Sequence, residues 1–267
     1  MKKSTIALAV VGALSAVPAI AAESDFTFTG NVNVLTDYRF RGISQTARGP
    51  ALQGGFDVAH KSGFYAGNWN SNVSTESFVG GAGLEMDFYA GYKGEFKGVG
   101  YDVGNLYYYY DGARYLGTTK SYNNNEVYLG LSYGPVSGKY SYATTDYFGL
   151  SDAAGLTTGA GYTSTIGTGR SRGSSYSELN FSQEIMPKVT LNAHVGYTDI
   201  KNYKDLSYTD YKLGASYDLN GFALGAHYVG TDVKGQNAEL FYTVTTSGTG
   251  PKQLYKDTIV LSIGKTF

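Results

Sequence analysis

The sequence predicts an all-β membrane protein, a transmembrane antiparallel up-and-down β-barrel of about twelve strands. Three features predict it. An export signal opens the chain and no later stretch could form a membrane helix. Two-residue alternation recurs in segments of about ten residues. The connections between these segments are alternately short and long.

The export signal occupies residues 1–22. Lys2 and Lys3 form a basic n-region, Ile6 to Val17 is apolar, and Pro18 leads into the small-residue stretch Ala19-Ile20-Ala21-Ala22. That order reads as a secretory signal peptide cut after Ala21 or Ala22, leaving one barrel domain, 23–267. The apolar run is short of the roughly 20 residues a spanning helix needs. The chain holds 26 Tyr, 13 Phe, 37 Gly and no Cys, with 42% hydrophobic residues. Stability must therefore come from something other than disulfides. The glycine and tyrosine excess fits a barrel with an aromatic, apolar outside and a polar inside. Without Lys2 and Lys3 the formal charge of −1 falls by two, and this weak balance gives no case for nucleic acid.

The strands follow in order, each with an apolar and a polar face. Strand one, Phe26 to Tyr38, sets Phe28, Val32, Val34 and Tyr38 against Thr27, Thr29, Asn31, Asn33 and Asp37. Strand two, Ala51 to Ala59, sets Leu52, Phe56 and Val58 against Gln53 and Asp57. Strand three, Phe64 to Ser71, is expected to turn Tyr65 and Trp69 out and Asn68 and Asn70 in. Strand four, Leu84 to Lys93, sets Met86, Phe88 and Tyr92 against Glu85, Asp87, Tyr89 and Lys93. Strand five, Val99 to Tyr110, sets Tyr101, Val103, Tyr107 and Tyr109 against Asp102, Gly104 and Tyr108. Strand six, Asn124 to Tyr133, sets Val127, Leu129 and Leu131 against Glu126 and Tyr128. Strand seven, Val136 to Asp146, sets Tyr140 and Tyr142 against Lys139 and Ser141.

Strand eight, Ser177 to Ile185, sets Leu179 and Phe181 against Glu178, Asn180 and Glu184. Strand nine, Val189 to Thr198, sets Leu191, Val195 and Tyr197 against Asn192 and His194. Strand ten, Thr209 to Leu219, sets Tyr211, Leu213 and Tyr217 against Lys212, Ser216 and Asp218. Strand eleven, Phe222 to Thr231, sets Leu224 and Tyr228 against His227. Strand twelve, Lys256 to Phe267, alternates Ile259, Leu261 and Ile263 with Thr258, Ser262 and Thr266. Its Phe267 is in phase with the apolar face. Taken alone this stretch also fits an ordinary amphipathic edge strand.

Connections after even-numbered strands are short, such as Gly134-Pro135 and Asn220-Gly221, while Arg39 to Pro50, Asp111 to Asn123, Tyr147 to Tyr176 and Asp232 to Tyr255 are long. Outer-membrane barrels have this asymmetry, with short turns periplasmic and long loops outside. A lipocalin-like soluble barrel would reverse the faces. Tyrosines near strand ends on the apolar face (Tyr38, Tyr92, Tyr101, Tyr133, Tyr217) favour the membrane form, because interfacial girdles sit there. The expected location is the outer membrane of a Gram-negative bacterium. The expected partners are outer-membrane lipid, the barrel-assembly machinery reading Phe267, and small hydrophilic solutes. The sequence leaves the oligomeric state open.

Several stretches are similar to a known family: Tyr38-Arg39-Phe40-Arg41-Gly42-Ile43-Ser44-Gln45-Thr46, Pro50 to Asp57, Gly63 to Gly67, Tyr89 to Tyr92, Tyr101 to Gly104, and Lys139 to Tyr142 leading to Asp146 to Gly149. Together they resemble the TorF-type porins, a proteobacterial outer-membrane family long uncharacterised. The resemblance covers nearly all of 23–267 and implies an outer-membrane barrel with pore activity. It supplies no catalytic residues and no substrate. One departure is Asp111-Gly112, where the family pattern has Pro-Gly.

The candidate lumen residues are Asp37, Arg39, Arg41, Asp57, Glu85, Asp87, Asp102, Glu126, Lys139, Glu178 and Lys212. Arg39 and Arg41 continue the parity of Asp37. They would either favour anions at the mouth or pair with lumen carboxylates such as Asp57 or Asp102. Gly42 would supply a turn, and Ser44-Gln45-Thr46 hydrogen bonds within the loop. Only His60, His194 and His227 exist, with no further ligands at metal spacing and no catalytic constellation, so no enzyme, metal or cofactor is expected. Two functions stay open: a narrow pore, mildly cation-selective, for small hydrophilic solutes, and a non-conducting structural or adhesive barrel with ligand-binding loops. Tyr147 to Tyr176 is the loop expected to fold inward and constrict the lumen.

Overall fold

The computed structural model describes residues 24–77, 82–115, 118–152, 166–246 and 250–267; the predicted signal segment lies outside them. Twelve strands close into one antiparallel barrel in which each strand pairs with its sequence neighbours and the last pairs with the first. They are β1 (Phe26–Leu35), β2 (Ala51–His60), β3 (Phe64–Asn72), β4 (Leu84–Phe96), β5 (Val99–Tyr110) and β6 (Asn124–Tyr133). The second half comprises β7 (Val136–Ala143), β8 (Ser175–Met186), β9 (Val189–Asp199), β10 (Tyr208–Leu219), β11 (Phe222–Thr231) and β12 (Thr258–Thr266). Closure matters because an open sheet would leave a row of unpaired N–H and C=O groups at each edge. The closing seam sets Asn31 against Thr266 and Leu35 against Ser262. Beyond the strand proper, Phe267 and Gly30 exchange both backbone hydrogen bonds, at 2.7 and 2.9 Å. The Phe267 ring lies over Gly30, where a Cβ would crowd it.

One rim carries tight turns. Lys97-Gly98 and Asn220-Gly221 both have positive φ at the two central positions. That is the twist of a two-residue hairpin turn matched to right-handed strands. Strand β4 consequently runs on to Phe96, three residues past the predicted end, and the turn shrinks to two residues. The other rim carries the long connections. These include a small hairpin (Arg39–Phe40 against Ile43–Ser44), a second one (Thr243–Thr246 against Gly250–Gln253) and a short helix, α1 (Gln236–Phe241).

The side-chain alternation divides the wall sharply. Phe28, Phe56, Phe64, Phe88, Val103, Leu129, Leu179, Leu213 and Ile259 are large, apolar and exposed on the outside. Outward tyrosines stand toward both rims. Tyr107, Tyr142, Tyr197 and Tyr228 lie toward the long-loop rim, and Tyr92, Tyr133 and Tyr217 toward the short-turn rim. The buried apolar residues sit instead at the long-loop end of the interior, in three clusters. One is built on Tyr38, Tyr108 and Tyr110, one on Leu150, Ile200, Tyr203 and Leu206, and one on Ile43, Tyr208, Tyr242 and Tyr255.

Two predicted faces are overturned. Strand β1 ends at Leu35, so parity does not carry to Tyr38, which is 7% exposed and packs edge-on against Trp69 inside the barrel. Strand β3 is in the opposite phase to the prediction. Its pairing sets Tyr65 opposite Gly91 and Trp69 opposite Asp87, so both rings point inward, while Asn68 and Asn70 share the outer face with Phe56, Phe88 and Met86. Aromatic bulk suggested the lipid side, but the neighbouring strands fix the phase, since a one-residue slip would invert the whole strand.

Candidate functional site

The lumen is built by the inward alternates of all twelve strands and by the loop after β1. That loop, residues 36–50, turns back into the barrel instead of leaving it. Gly42, at φ 79°, makes the reversal between Phe40 and Ile43. A side chain there would collide with Thr231 and Asp210, so the turn rests directly against β10 and β11. Asp37 organises the base of the loop. It accepts from Arg39 Nε (2.7 Å), Ser44 Oγ (2.6 Å) and Thr46 Oγ1 (3.3 Å). Arg39 Nη1 donates to the carbonyls of Gly42, Leu254 and Lys256 and so ties this loop to the last one.

Arg41 reaches across to β6. Its guanidinium donates to both oxygens of Glu126, at 3.1 and 2.7 Å, and to the Tyr147 hydroxyl at 2.9 Å. It also lies 4.1 Å over the Tyr176 ring on β8 and 4.8 Å from the Phe40 ring. The two side chains are 6% and 3% exposed. Burial would lower the Arg41 pKa, but Glu126, then Tyr147 and Tyr108, outweigh it and hold the guanidinium above its ordinary range. A bidentate buried pair is strong where further hydrogen bonds accompany it, as the Tyr147 hydroxyl does for Arg41 and Tyr108 for Glu126. The arginines therefore form buried pairs, with Asp37 and Glu126 in place of the expected Asp57 or Asp102.

The wall from β2 to β6 carries carboxylates capped by tyrosine hydroxyls. Tyr89 donates to Asp57 at 2.5 Å, Tyr65 to Asp102 at 2.6 Å and Tyr110 to Glu85 at 2.7 Å. Tyr65 also meets the Tyr128 hydroxyl. These rings need facing space, and glycine supplies it. A Cβ on Gly67 would strike the Tyr89 ring, one on Gly91 the Tyr65 ring, and one on Gly104 the Tyr128 ring. On this wall Glu85 Oε2 and Asp87 Oδ1 are buried with no hydrogen-bond partner.

The facing wall, β7 to β11, carries a connected chain of charges. Lys139 pairs with Glu178 at 3.2 Å, and Glu178 lies 3.8 Å from His194 Nδ1. His194 Nε2 stands 2.9 Å from Asp210 Oδ1, and the Tyr176 hydroxyl joins both. Lys212 follows on the same face of β10, next to His194 in the strand register. The structure thus places Asp57, Glu85, Asp87, Asp102, Glu126, Lys139, Glu178 and Lys212 on the inner wall, with Asp37, Arg39 and Arg41 on the inward loop.

Sequence reading missed Asp210, Tyr176 and Tyr147. Asp210 and Tyr176 sit at strand beginnings, and alternation read back from Lys212 and Glu178 would have found them. Tyr147 lies in an irregular stretch with no periodic signal. The constriction is also made differently from the expectation. The described ends of the loop after β7 do pack inward through Tyr147 and Leu150. The first loop, however, is what crosses the lumen, and residues 153–165 lie outside the described set. Among the described residues no His, Asp or Glu group is arranged to hold a metal.

The sequence matches, over residues 19–267, the family described as "Bacterial protein of unknown function (Gcw_chp)", and the chain belongs to that family. No curated protein matches it. Among solved structures, the KdgM porin is similar with a TM-score of 0.50 at 9% identity, over 90% of this chain and 98% of that one. The KdgM porin in complex with disordered oligogalacturonate gives the same values. The NanC porin follows at 0.49 and 9%, over 90% of this chain and 99% of that one. At such low identity the KdgM likeness speaks for the barrel fold alone.

Proposed function

We propose that this chain is an outer-membrane channel of the TorF porin type, passing small hydrophilic solutes through a narrow polar lumen. The observation that supports this best is the inversion of a soluble fold. Phe28, Phe56, Phe88, Leu213 and Ile259 are exposed outside, while Glu85, Asp87, Asp102 and Glu126 are buried inside. In water such a continuous apolar wall would drive aggregation; in a bilayer it is the surface that lipid requires. The aromatic residues toward both rims fit the two interfaces. Segment 1–22 would direct export and 23–267 would form the barrel. The short-turn rim would face the periplasm of a Gram-negative cell, and the Phe267–Gly30 closure would be completed by the barrel-assembly machinery.

A twelve-stranded barrel is intermediate in width between filled eight-stranded barrels and sixteen-stranded porins. Acids outnumber lysines on its inner wall, which favours cations, and the first loop narrows the outer mouth. The reading is non-enzymatic. A specific observation also favours a second one, a non-conducting structural barrel. Three buried clusters, including those around Tyr110 and Leu206, fill the long-loop end. Planar-bilayer recording on purified, refolded protein decides between them. Discrete conductance steps support the channel. Silence from both the intact protein and a variant with residues 39–48 shortened rejects it in favour of the structural barrel.

A further inference from the structure

The outer wall is not uniformly apolar. Over β2 to β5 the outward positions include Asn68, Asn70 and Asn105, with Gly54 on β2, Ala66 on β3 and Ala90 on β4 beside them. Asn68 is not at a rim, because its register partners on either side are Phe56 and Phe88, outward and 72% and 47% exposed. The carboxamides are partly satisfied within the wall. Asn68 Nδ2 donates to the Asp87 carbonyl at 3.0 Å, Asn70 Nδ2 to Asn68 Oδ1 at 2.6 Å and to the Gly54 carbonyl at 3.4 Å, and Asn105 Nδ2 to the Glu126 carbonyl at 3.1 Å. Each amide has two N–H donors and an oxygen with two lone pairs, so one N–H each on Asn68 and Asn105 and lone pairs on the carboxamide oxygens are left over. Acyl chains offer nothing to meet them.

We propose that this face is where a second copy of the chain docks, forming a two-fold dimer in the plane of the membrane. The inference rests on the membrane reading above. Two observations choose the occupant. The patch holds no charged side chain, so neither an ionic partner nor a lipid headgroup is matched by it. A carboxamide is donor and acceptor at once, so like faces like across a two-fold axis without mismatch, as a self-complementary interface needs. Gly54, Ala66 and Ala90 lack bulk and leave recesses beside the outward rings of Phe56 and Phe88, into which a partner's rings can fit. Small residues with polar side chains among them are the pattern that holds membrane segments together when hydrophobicity cannot.

The chain has no cysteine, so single cysteines report cleanly. Ala66→Cys lies in the patch; Leu213→Cys is exposed on β10, on the far side of the barrel. Oxidation in native membranes is expected to give a disulfide-linked dimer for A66C and none for L213C. Adding Asn68→Leu and Asn70→Leu to A66C should abolish the dimer while heat-modifiable gel migration shows an intact barrel. Detergent-extracted wild type should have the mass of two copies and the leucine variant of one. A66C protein that is folded and in the membrane fraction but stays monomeric overturns the proposal. So does equal cross-linking of A66C and L213C, or a monomer that carries tightly bound lipid. Wild-type protein absent from the membrane fraction would instead overturn the membrane reading on which the dimer depends.

Discussion

Replacing Arg41 by alanine is expected to unfasten the first loop from the far wall and raise conductance. The wild-type guanidinium makes two bonds to Glu126, at 2.7 and 3.1 Å, and one to Tyr147 at 2.9 Å. Without it Glu126 keeps only longer contacts, from Asn124 Nδ2 at 3.2 Å and Tyr108 at 3.3 Å, inside a site that excludes water. Removing one partner of a buried pair is worth about 3–5 kcal/mol. At about 1.4 kcal/mol per tenfold, that shifts the balance between seated and released loop by roughly 10²-fold to several thousandfold. The hairpin itself should survive, because Asp37, Arg39, Ser44 and Thr46 hold it without Arg41. It would move as a unit. The assay is single-channel recording of wild type, R41A and R41A/E126A, each first shown to be folded. R41A should open to larger or longer-lived steps. The freed Glu126 should also strengthen cation preference. The double variant should be open as well, yet regain part of the lost stability, since it buries no lone charge. Folded R41A with wild-type or smaller conductance would refute the reasoning.

Other outcomes follow from the same structure. Deleting Phe267 removes both hydrogen bonds to Gly30 and the ring over it, so outer-membrane yield should fall severalfold by immunoblot; undiminished yield would count against a role in closure. Gly104→Ala drives a Cβ into the Tyr128 ring, and overpacking of this kind should lower stability by about 1–3 kcal/mol in urea titrations of the refolded barrel. Lys234 and Lys97 are both exposed but lie at opposite rims, so an impermeant biotin reagent on whole cells should label Lys234 and spare Lys97. The reverse result would invert the proposed orientation. Asp57→Asn with Asp102→Asn removes two inner-wall charges without changing side-chain size, and reversal potentials should show weaker cation preference.

Much of the fold was legible because a barrel is a periodic object. In β4, Phe88 and Tyr92 alternate with Asp87 and Lys93 from one rim toward the other. Where a strand carries bulk on both faces, periodicity gives no phase. Strand β3 has Phe64 and Ala66 on one side, Tyr65 and Trp69 on the other, and asparagines among them. Its phase was set by partners, with Tyr65 seated opposite Gly91 and capping Asp102 two strands away on the same wall. Phase cannot be read from one strand when the deciding contacts lie on others. The inward loop was half legible. Gly42 and Ser44 to Thr46 marked a structured turn, but the partner of Arg41 is 85 residues away in sequence. Many inner-wall carboxylates could have taken that role.

The glycines and tyrosines show how composition can be right about class and incomplete about cause. An aromatic exterior explains Tyr107, Tyr133 and Tyr228, all outward and at least one-third exposed. It does not explain Tyr65, Tyr89, Tyr128 and Tyr176, which point inward and whose hydroxyls meet Asp102, Asp57, another tyrosine and Asp210. Each of these four rings lies against the backbone of a glycine on a neighbouring strand: Gly91, Gly67, Gly104 and Gly196. A lumen narrowed by side chains alone would need long flexible ones, with a large loss of rotamer freedom on ordering. A tyrosine laid over a glycine fills the same space with two stiff torsions, and the hydroxyls of Tyr65, Tyr89 and Tyr176 each bond a carboxylate. The pairing therefore narrows the lumen and settles its charges in one arrangement. The excess of both residue types is then a property of the inner wall as much as of the lipid-facing one.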